Sequence, residues 1–163
     1  MTQTTYNLNR QRAFTGLVAD SRIPTSIVTA TAGEALNWGD AVYVSDWSEG
    51  EQTIVVNKLN AANKENLFGF VAFEQRQRNS SDITLSKDQD VPILLQGAIW
   101  VDNTAAAVAG GSKLVVKSSD AMFDDTSASG DVTYHGILFL SAGAAENAMV
   151  KILVNLPGYS VTQ

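Results

Sequence analysis

The amino-acid sequence predicts an all-β protein, a compact β-sandwich or barrel built from two similar β units and preceded by an extended N-terminal arm. Two observations favour this fold. Beyond residue 26, apolar runs of roughly five to nine residues alternate with Gly, Asn, Asp and Ser, as short strands and turns do. Several of these runs also recur in the second half of the chain in the same order. The expected organisation is therefore an arm at 1–26 and a β domain at 27–163.

The predicted strands follow one another through the β domain, and each is bounded by turn-forming residues. In order they are SIVTATA, DAVYVSD, QTIVVNKL, NLFGFVAFE, DVPILLQGAIWVD, SKLVVKSSD, VTYHGILFLSAG and NAMVKILVNLPG. Two further segments, LNAANKENL and DNTAAAVAGG, could each form one helical turn, but both are too short for a stable helix. DITLSKDQDV is expected as a loop or an edge hairpin, since its charged residues keep an exposed edge solvated.

An internal repeat is predicted at residues 36–97 and 106–158. Three pairs of matching motifs define it: WGDAVYVSD with GGSKLVVKSSD, LFGFVAFEQ with YHGILFLSA, and DVPILLQGA with AMVKILVNLPG. Self-similarity at this period is typical of one supersecondary unit used twice, each half covering the apolar face of the other. Chance is the alternative, because glycine-rich β patterns are common. The glycines within FGF and HGI are expected at bulges or at close backbone approaches.

The arm at 1–26 differs from the rest of the chain in both pattern and charge. It carries three arginines and one aspartate, a net charge of +2, whereas the remainder carries −8. A basic segment on an acidic body suggests that the two parts face different surroundings. The residues expected to contact a partner through the arm are Arg10, Arg12, Phe14, Leu17, Val18 and Arg22. The alternative is a terminus that lies along its own domain.

The composition argues against several classes of function. The chain contains no cysteine, so it has neither disulfides nor thiolate metal sites. Its net charge of −6 argues against nonspecific nucleic-acid binding, which needs a basic face. No apolar run approaches the roughly 18 residues that span a bilayer, and the first residues lack the apolar core of a secretory signal. We therefore expect a soluble protein, made in a cytoplasm, with no nucleic-acid or membrane partner.

No catalytic constellation is visible in the sequence. The single histidine, His135, lies in an apolar strand, and no Gly-x-Ser-x-Gly nucleophile motif occurs. The acidic segment at 120–131 is interpreted as a solvated turn. Its spacing is not that of a helix-loop-helix calcium site. The sequence leaves open whether the segment binds a cation in another way. We expect no catalytic residue, no metal ligand and no cofactor.

A few residues outside the arm are candidates for contact with a partner. Trp47 lies in the turn-rich stretch SDWSEGE and is the best candidate for an exposed contact aromatic, whereas core packing explains Trp38 and Trp100. Arg76 and Arg78 form a small basic patch at a predicted strand end. They could contact an acidic partner, although a solvated loop is the better interpretation.

The sequence resembles the head decoration, or structural cement, proteins of tailed bacteriophages. The resembling residues are PTSIVTATAGEALNWGDAVYVSD, LFGFVAFEQ and DVPILLQGAIWVDNTAAAVAGGSKLVVKSSD, which together span roughly 24–120. The family's pattern has a leading segment, a Gly-Asp-x-Val strand, a glycine-containing strand and an aliphatic strand that ends in glycine. The C-terminal half is joined to this likeness mainly through the internal repeat.

The resemblance implies a small β protein without catalytic residues that sits on the capsid exterior of a virion. It further implies binding to the major capsid protein, bridging of neighbouring capsid subunits, and a homo-oligomer, with a trimer expected. An arm that orders along a neighbouring subunit suits that role, and many copies on one shell multiply weak contacts. The alternative function is a carbohydrate-binding or adhesin-type β module, which would require exposed aromatics aligned on one face.

Overall fold

A computed structural model describes residues 14–19, 22–48, 53–73, 84–156 and 161–162 of the 163-residue chain. The strands within these ranges are β1 (Ser26–Ala32), β2 (Leu36–Asn37), β3 (Ala41–Ser48), β4 (Thr53–Lys58), β5 (Leu67–Val71), β6 (Thr84–Leu85), β7 (Asp90–Val101), β8 (Lys113–Val116), β9 (Phe123–Asp124), β10 (Val132–Phe139), β11 (Val150–Asn155) and β12 (Val161–Thr162). One 3₁₀ turn, Ala61–Asn63, occupies the predicted helical turn of LNAANKENL, and Asn60 caps it. The described ranges contain no α-helix, so the all-β prediction is confirmed.

Five strands of the first unit close into a barrel in the order β1-β4-β3-β5-β7, with β7 returning to pair with β1. The β1–β4 pair is parallel and the other four pairs are antiparallel. The barrel interior is one of two hydrophobic cores, with buried residues Ala30, Ala32, Leu36, Trp38, Val42, Val56, Val71, Leu85, Val91 and Ile93. Closure satisfies the backbone groups that free strand edges would otherwise expose.

The second unit is an extension of the same sheet. Strand β7 passes from one unit to the other near Gly97, whose φ of 134° is rarely adopted by residues with a side chain. Beyond this glycine, β7 pairs with β11, and the sheet continues through β10, β8 and β9, while β12 pairs with β10. A single strand of 12 residues therefore belongs to both units.

The strand pairing is the same in the two units. The first unit has the order β4-β3-β5-β7, and the second has β9-β8-β10-β11, with every pair antiparallel. The short β2–β6 ladder of the first unit also has a counterpart in the antiparallel bridge between Val108 and Gly143. That bridge and a parallel bridge from Thr104 to Phe123 lie in and around the segment DNTAAAVAGG, which forms no helical turn.

The turn that leads into each unit's first long strand repeats as well. Gly39 and Gly111 have φ values of 81° and 90°, and each lies two residues before its strand. The Gly39 amide donates to the Val71 carbonyl at 2.8 Å, and the Gly111 amide donates to the Phe139 carbonyl at 2.6 Å. These bonds make Val71 and Phe139 equivalent positions. Aligning the motifs LFGFVAFEQ and YHGILFLSA at their glycines would instead match Val71 with Leu138. The structure therefore shifts the match by one residue.

The glycines of FGF and HGI lie at irregularities of the sheet, as predicted. In β5, Val42 pairs with Gly69 and the next residue of β3 pairs with Leu67, so Phe68 is extra. A Cβ on Gly69 would lie 2.7 Å from the Leu94 carbonyl oxygen, so only glycine fits there. In β10 the register with β8 shifts between Tyr134 and Leu138, a stretch that contains the second glycine.

Three strands of the barrel separate the two hydrophobic cores, because alternate residues of a strand face opposite sides of the sheet. In each of β3, β5 and β7, one of two neighbouring residues faces the barrel interior and the other faces the second core. The interior set is Val42, Val71 and Ile93, and the opposite set is Ala41, Phe70 and Leu94. The second core also contains the inner face of β8, β10 and β11. The outer face of the first unit thus covers the inner face of the second.

Tyr134 of β10 ties the second unit to the first. Its side chain is fully buried, and its hydroxyl donates to the Lys64 carbonyl at 2.6 Å and accepts from the Leu67 amide at 3.1 Å. Both partners belong to the first unit. The edge-to-face contact of Phe70 with Phe123, at 5.9 Å between ring centroids, adds a second link across the same boundary.

We expect Tyr134→Phe to lower the free energy of unfolding by about 1–3 kcal/mol, because it leaves the buried Leu67 amide and the partly buried Lys64 carbonyl without their partner. Tyr43→Phe is the matched control at a half-buried tyrosine. Urea unfolding of both variants measures the difference. A Tyr134→Phe variant as stable as Tyr43→Phe would show that the hydroxyl does not contribute to holding the units together.

Candidate partner-binding surfaces

Residues 14–19 of the predicted arm lie along the second half of β7. The Gly16 amide donates to the Trp100 carbonyl at 2.7 Å, and the Trp100 amide donates to the Leu17 carbonyl at 3.1 Å. Val18 forms an antiparallel bridge with Ile99. This segment therefore adds a short piece of strand to the edge of β7 that lies opposite β11.

Side chains fix the same segment to the first unit. Phe14 packs edge to face against Phe73 at 4.6 Å between centroids, and Phe73 packs in the same way against Trp38 at 5.3 Å. Gly16 lies so close to Trp38 that a Cβ would come within 2.7 Å of the tryptophan Cβ. The segment thus contacts both units.

The structure places the arm's apolar candidates on the chain's own body, the arrangement that the sequence left open as an alternative. Phe14, Leu17 and Val18 are each half-buried, so part of each side chain remains accessible. Arg22 is exposed and makes a contact within the chain. Arg10 and Arg12 lie outside the described residues. Contact of these six residues with a partner stays a prediction.

We expect Gly16→Ala to release residues 14–19 from the body, because the alanine Cβ would collide with Trp38 and because Gly16 has a φ of 81°. The cost should be about 1–3 kcal/mol of docking free energy. Limited proteolysis should then cleave near residues 14–22 faster than in the wild type. Gly110→Ala is the control, since its Cβ would meet no atom closer than 3.6 Å. Equal cleavage rates in the two variants would contradict this account of the segment.

Trp47 is exposed, as predicted, with 52% of its surface accessible. It pairs with Ile54 across the β3–β4 hairpin, and Val44, which is 40% exposed, pairs with Val56. Cross-strand partners share one face of a sheet, so the exposed side chains continue the apolar barrel interior out to the surface. We call Val44, Trp47 and Ile54 the hairpin strip.

The other candidates outside the arm have different surroundings. Trp38 is buried in the barrel core, as expected. Trp100 is only half-buried, on the outer face of β7, with the Lys151 Nζ 5.9 Å from its ring centroid. Arg76 and Arg78 lie outside the described residues.

The acidic segment is a solvated turn only in part, because residues 126–130 are exposed whereas Asp124 and Asp131 are buried. Asp131 is buried, and its carboxylate accepts from the amides of Ser118 at 2.8 Å and Ala128 at 2.9 Å. The Lys117 Nζ lies 3.0 Å from Asp131 and 3.4 Å from Asp124. The ammonium group therefore occupies the position between two carboxylates that a bound cation would take. Among the described residues, no group of three His, Asp or Glu is arranged to hold a metal ion.

Hydrogen bonding and the lysine shift the titration of this cluster. Burial alone would raise the pKa values of Asp131 and Asp124. Amide donors and the Lys117 ammonium nevertheless hold both pKa values below their usual range. The hydrogen bond to Asp131 raises the pKa of Lys117. A carboxyl group with a lowered pKa stabilises the fold above its unfolded pKa and loses this contribution as the pH falls through the folded pKa.

We expect Asp131→Asn to reduce the free energy of unfolding at pH 7 by about 1–3 kcal/mol, since amide donors lose a charged acceptor. The difference from the wild type should shrink as the pH falls below about 4, the usual pKa of an aspartate. Urea unfolding at pH 7 and at about pH 2.5 measures this, with Glu146→Gln as an exposed control. A difference that does not change with pH would contradict the assignment.

His135 has the surroundings of a surface residue. The Lys113 ammonium donates to its Nδ1 at 2.7 Å, so this nitrogen is the acceptor. The ring is half-buried on β10.

In the part of the chain that the structure describes, no helix is long and apolar enough to cross a membrane.

The sequence reasoning missed an apolar outer face on the second unit. Leu138 of β10 pairs with Leu153 of β11, and both are half-buried on the side away from the core. Leu140 and Met149, beside the same strands, are 41% and 38% exposed. The alternation in ILFLS, with Phe139 facing inward, could have revealed this face, because an outer face that is apolar breaks the usual polar alternation. We call Leu138, Leu140, Met149 and Leu153 the outer face.

These features are those of a structural or binding protein. The N-terminal segment is docked on the body, apolar side chains are exposed, and Lys117 neutralises the Asp124–Asp131 cluster. The family model for phage structural cement proteins, described as structural cement protein (E217 gp24/Pam3 gp6), matches residues 2–155. The chain therefore belongs to this family. Its resemblance to phage cement proteins is confirmed, and it is a structural protein of the phage capsid that associates with capsid proteins. No curated protein matches the chain.

Proposed function

We propose that this protein is not an enzyme, that it binds the outer surface of the phage capsid, and that it stabilises the shell by bridging neighbouring capsid subunits. The observation that carries this proposal is the attachment of residues 14–19 to both units, directly after a basic stretch of chain. A capsid subunit that holds this stretch would be linked to the whole β body, because the segment adds to the same sheet.

The basic stretch supplies the charge for this attachment. Residues 1–19 contain Arg10 and Arg12 and no acidic residue. A leading segment of this kind favours acidic patches on the shell, with each arginine able to form paired hydrogen bonds to a carboxylate. The accessible parts of Phe14, Leu17 and Val18 would lie beneath a subunit that covers the segment.

Further contacts extend the proposal beyond the arm. Arg22, which follows the docked segment in the chain, is exposed. Arg76 and Arg78 form a second basic pair in the sequence. Repetition of weak contacts over many copies would give strong attachment by avidity. We further propose that the protein is made in the cytoplasm of the infected host and that it acts as a homo-oligomer, with a trimer expected from its resemblance to decoration proteins.

Co-sedimentation with mature, undecorated phage heads tests the function and the arm separately. We compare the full chain, a deletion of residues 1–13 that keeps the docked segment, and the double variant Arg10→Glu with Arg12→Glu. The full chain should bind saturably, and both variants should bind at least about tenfold more weakly, because charge complementarity to the shell is lost or reversed. Lys87→Glu, in an exposed turn, is the charge control.

Two outcomes would contradict the proposal at different levels. Equal binding by the full chain and by the deletion would retain capsid binding and exclude the arm. Absence of binding by the folded full chain to competent heads would exclude capsid binding itself, and glycan-array binding would then test the carbohydrate-binding alternative.

A further inference from the structure

The outer face of the second unit has a buried counterpart in the first unit. The Ala72 amide donates to the Pro92 carbonyl at 2.8 Å, and the Leu140 amide donates to the Lys151 carbonyl at 2.7 Å. These bonds, together with the ladder pairs, establish which residues of the two units are equivalent. The equivalent residues are Ala72 and Leu140, Phe70 and Leu138, and Leu94 and Leu153.

Equivalent positions have different surroundings in the two units. Phe70, Ala72 and Leu94 are at most 1% exposed, because the second unit packs over them. In the second unit, Leu140 is 41% exposed, and the two leucines of the ladder pair are half-buried. An apolar face that belongs to the core in one unit is therefore accessible in the other.

The docked N-terminal segment extends this face across one more strand. Val18 packs against the second core together with its bridge partner Ile99. Its neighbour Leu17 therefore faces the other side of the sheet, where Trp100 lies opposite and donates its amide to the Leu17 carbonyl. Trp100 pairs in turn with a residue of β11. A continuous row thus crosses the sheet, consisting of Leu140, Lys151, Trp100 and Leu17.

Two lysines on this surface keep their charge available for a partner. Residues 97–163 contain three lysines and no arginine, and the first two salt bridges of Lys117 neutralise that lysine within its carboxylate cluster. Lys113 pairs with Leu138 and donates to His135, while the Lys151 Nζ lies 5.9 Å from a tryptophan ring centroid. Neither of these two forms a salt bridge with the residues that the structure describes.

Apolar area and unneutralised charge together define the chemistry of a partner for this surface. An apolar patch on the partner would remove the exposed leucines from water. Carboxylates at the rim of that patch would pair with the two ammonium groups, because an unpaired charge buried in an interface is unfavourable. Residues 27–163 carry a net charge of −8, so these lysines form a local basic site on an acidic body and would orient an acidic partner.

We propose that the outer face, extended by Trp100 and Leu17, docks on a capsid subunit that presents an apolar patch rimmed by carboxylates. This inference rests on the proposed capsid binding and deepens it, since it names the surface of the body that is used and the chemistry of its partner. Residues 1–13 precede the docked segment at the margin of this face. A stretch of this length spans at most about 45 Å, enough to reach a subunit beside the one that the face covers.

Co-sedimentation with mature, undecorated phage heads tests this surface through variants that leave the arm unchanged. Lys113→Glu and Lys151→Glu should each weaken binding at least about tenfold, because each places a carboxylate against the acidic rim. Leu140→Ser should also weaken binding, since it removes apolar area from the contact. Lys87→Glu, in an exposed turn, and Ile27→Ser, at an isoleucine that is 47% exposed, are the matched controls and should bind like the wild type. Circular dichroism and the Tm show that each variant is folded.

A combined variant shows whether the face and the arm are separate attachments. Arg10→Glu and Arg12→Glu change the arm, and Lys151→Glu changes the face. Contacts at separate places act independently, so the losses should multiply to about a hundredfold when all three changes are present. A combined loss no larger than that of the arm variant alone would contradict a second attachment through the outer face.

Oxidation of Met149 reports directly on whether the outer face is covered. The side chain is 38% exposed, and peroxide converts an accessible methionine to the sulfoxide. Peptide mass spectrometry should show Met149 oxidised several-fold more slowly on phage heads than in the free protein at the same concentration. Equal rates in the two samples would overturn the docking of this face. If both rates were also far below that of the urea-unfolded chain, a second copy would be the cover instead of the capsid.

Failure of this inference is distinguishable from failure of the proposed function. If the full chain binds heads and only the arm variants weaken binding, capsid binding stands and the outer face is excluded as a contact. If the folded full chain does not bind competent heads, capsid binding and this inference are both excluded.

Discussion

Strand β7 is the element on which the rest of the structure depends. Its first half closes the barrel by pairing with β1 on one edge and β5 on the other, and its second half, beyond Gly97, begins the second unit by pairing with β11. Because both cores take side chains from this strand, neither unit can lose it and stay intact. Gly97 lies where the pairing passes from β1 to β11, and its φ of 134° is available to glycine and rarely to other residues.

The docked N-terminal segment uses the remaining edge of the same strand. Residues 14–19 pair with the half of β7 that belongs to the second unit, while Phe14 reaches Phe73 of the first. A force applied to the leading segment would therefore act across many backbone hydrogen bonds of the sheet and not on one loop. This arrangement suits a structural cement protein, because a contact made through the leading segment would be linked to both units.

The sequence predicted the features that local chemistry decides. Gly-containing turns, alternating strands and bulges at the two motif glycines follow from backbone sterics, and the exposed Trp47 follows from its turn-rich surroundings. It could not predict features that depend on residues distant in the chain. Asp131 is close to Lys117 in sequence, yet its burial depends on how the loop folds back, and the contact of Tyr134 with Lys64 joins residues 70 positions apart. The docking of Phe14 likewise depends on Phe73 and Trp38 being brought together by the closed barrel.

A repeated unit creates an imbalance that a single unit would not have. In the first unit the outer face becomes core, because the second unit covers it. In the second unit, no further unit among the residues that the structure describes covers the equivalent face. That face is not fully polar, because Leu138, Leu140 and Leu153 are apolar. The charged residues at its margin are Lys113, which pairs with Leu138, and Lys151. An apolar centre with charged flanks is the composition of a surface that associates reversibly, since the centre gains from burial and the flanks select the partner. Two units with the same strand order thus also leave a surface suited to assembly.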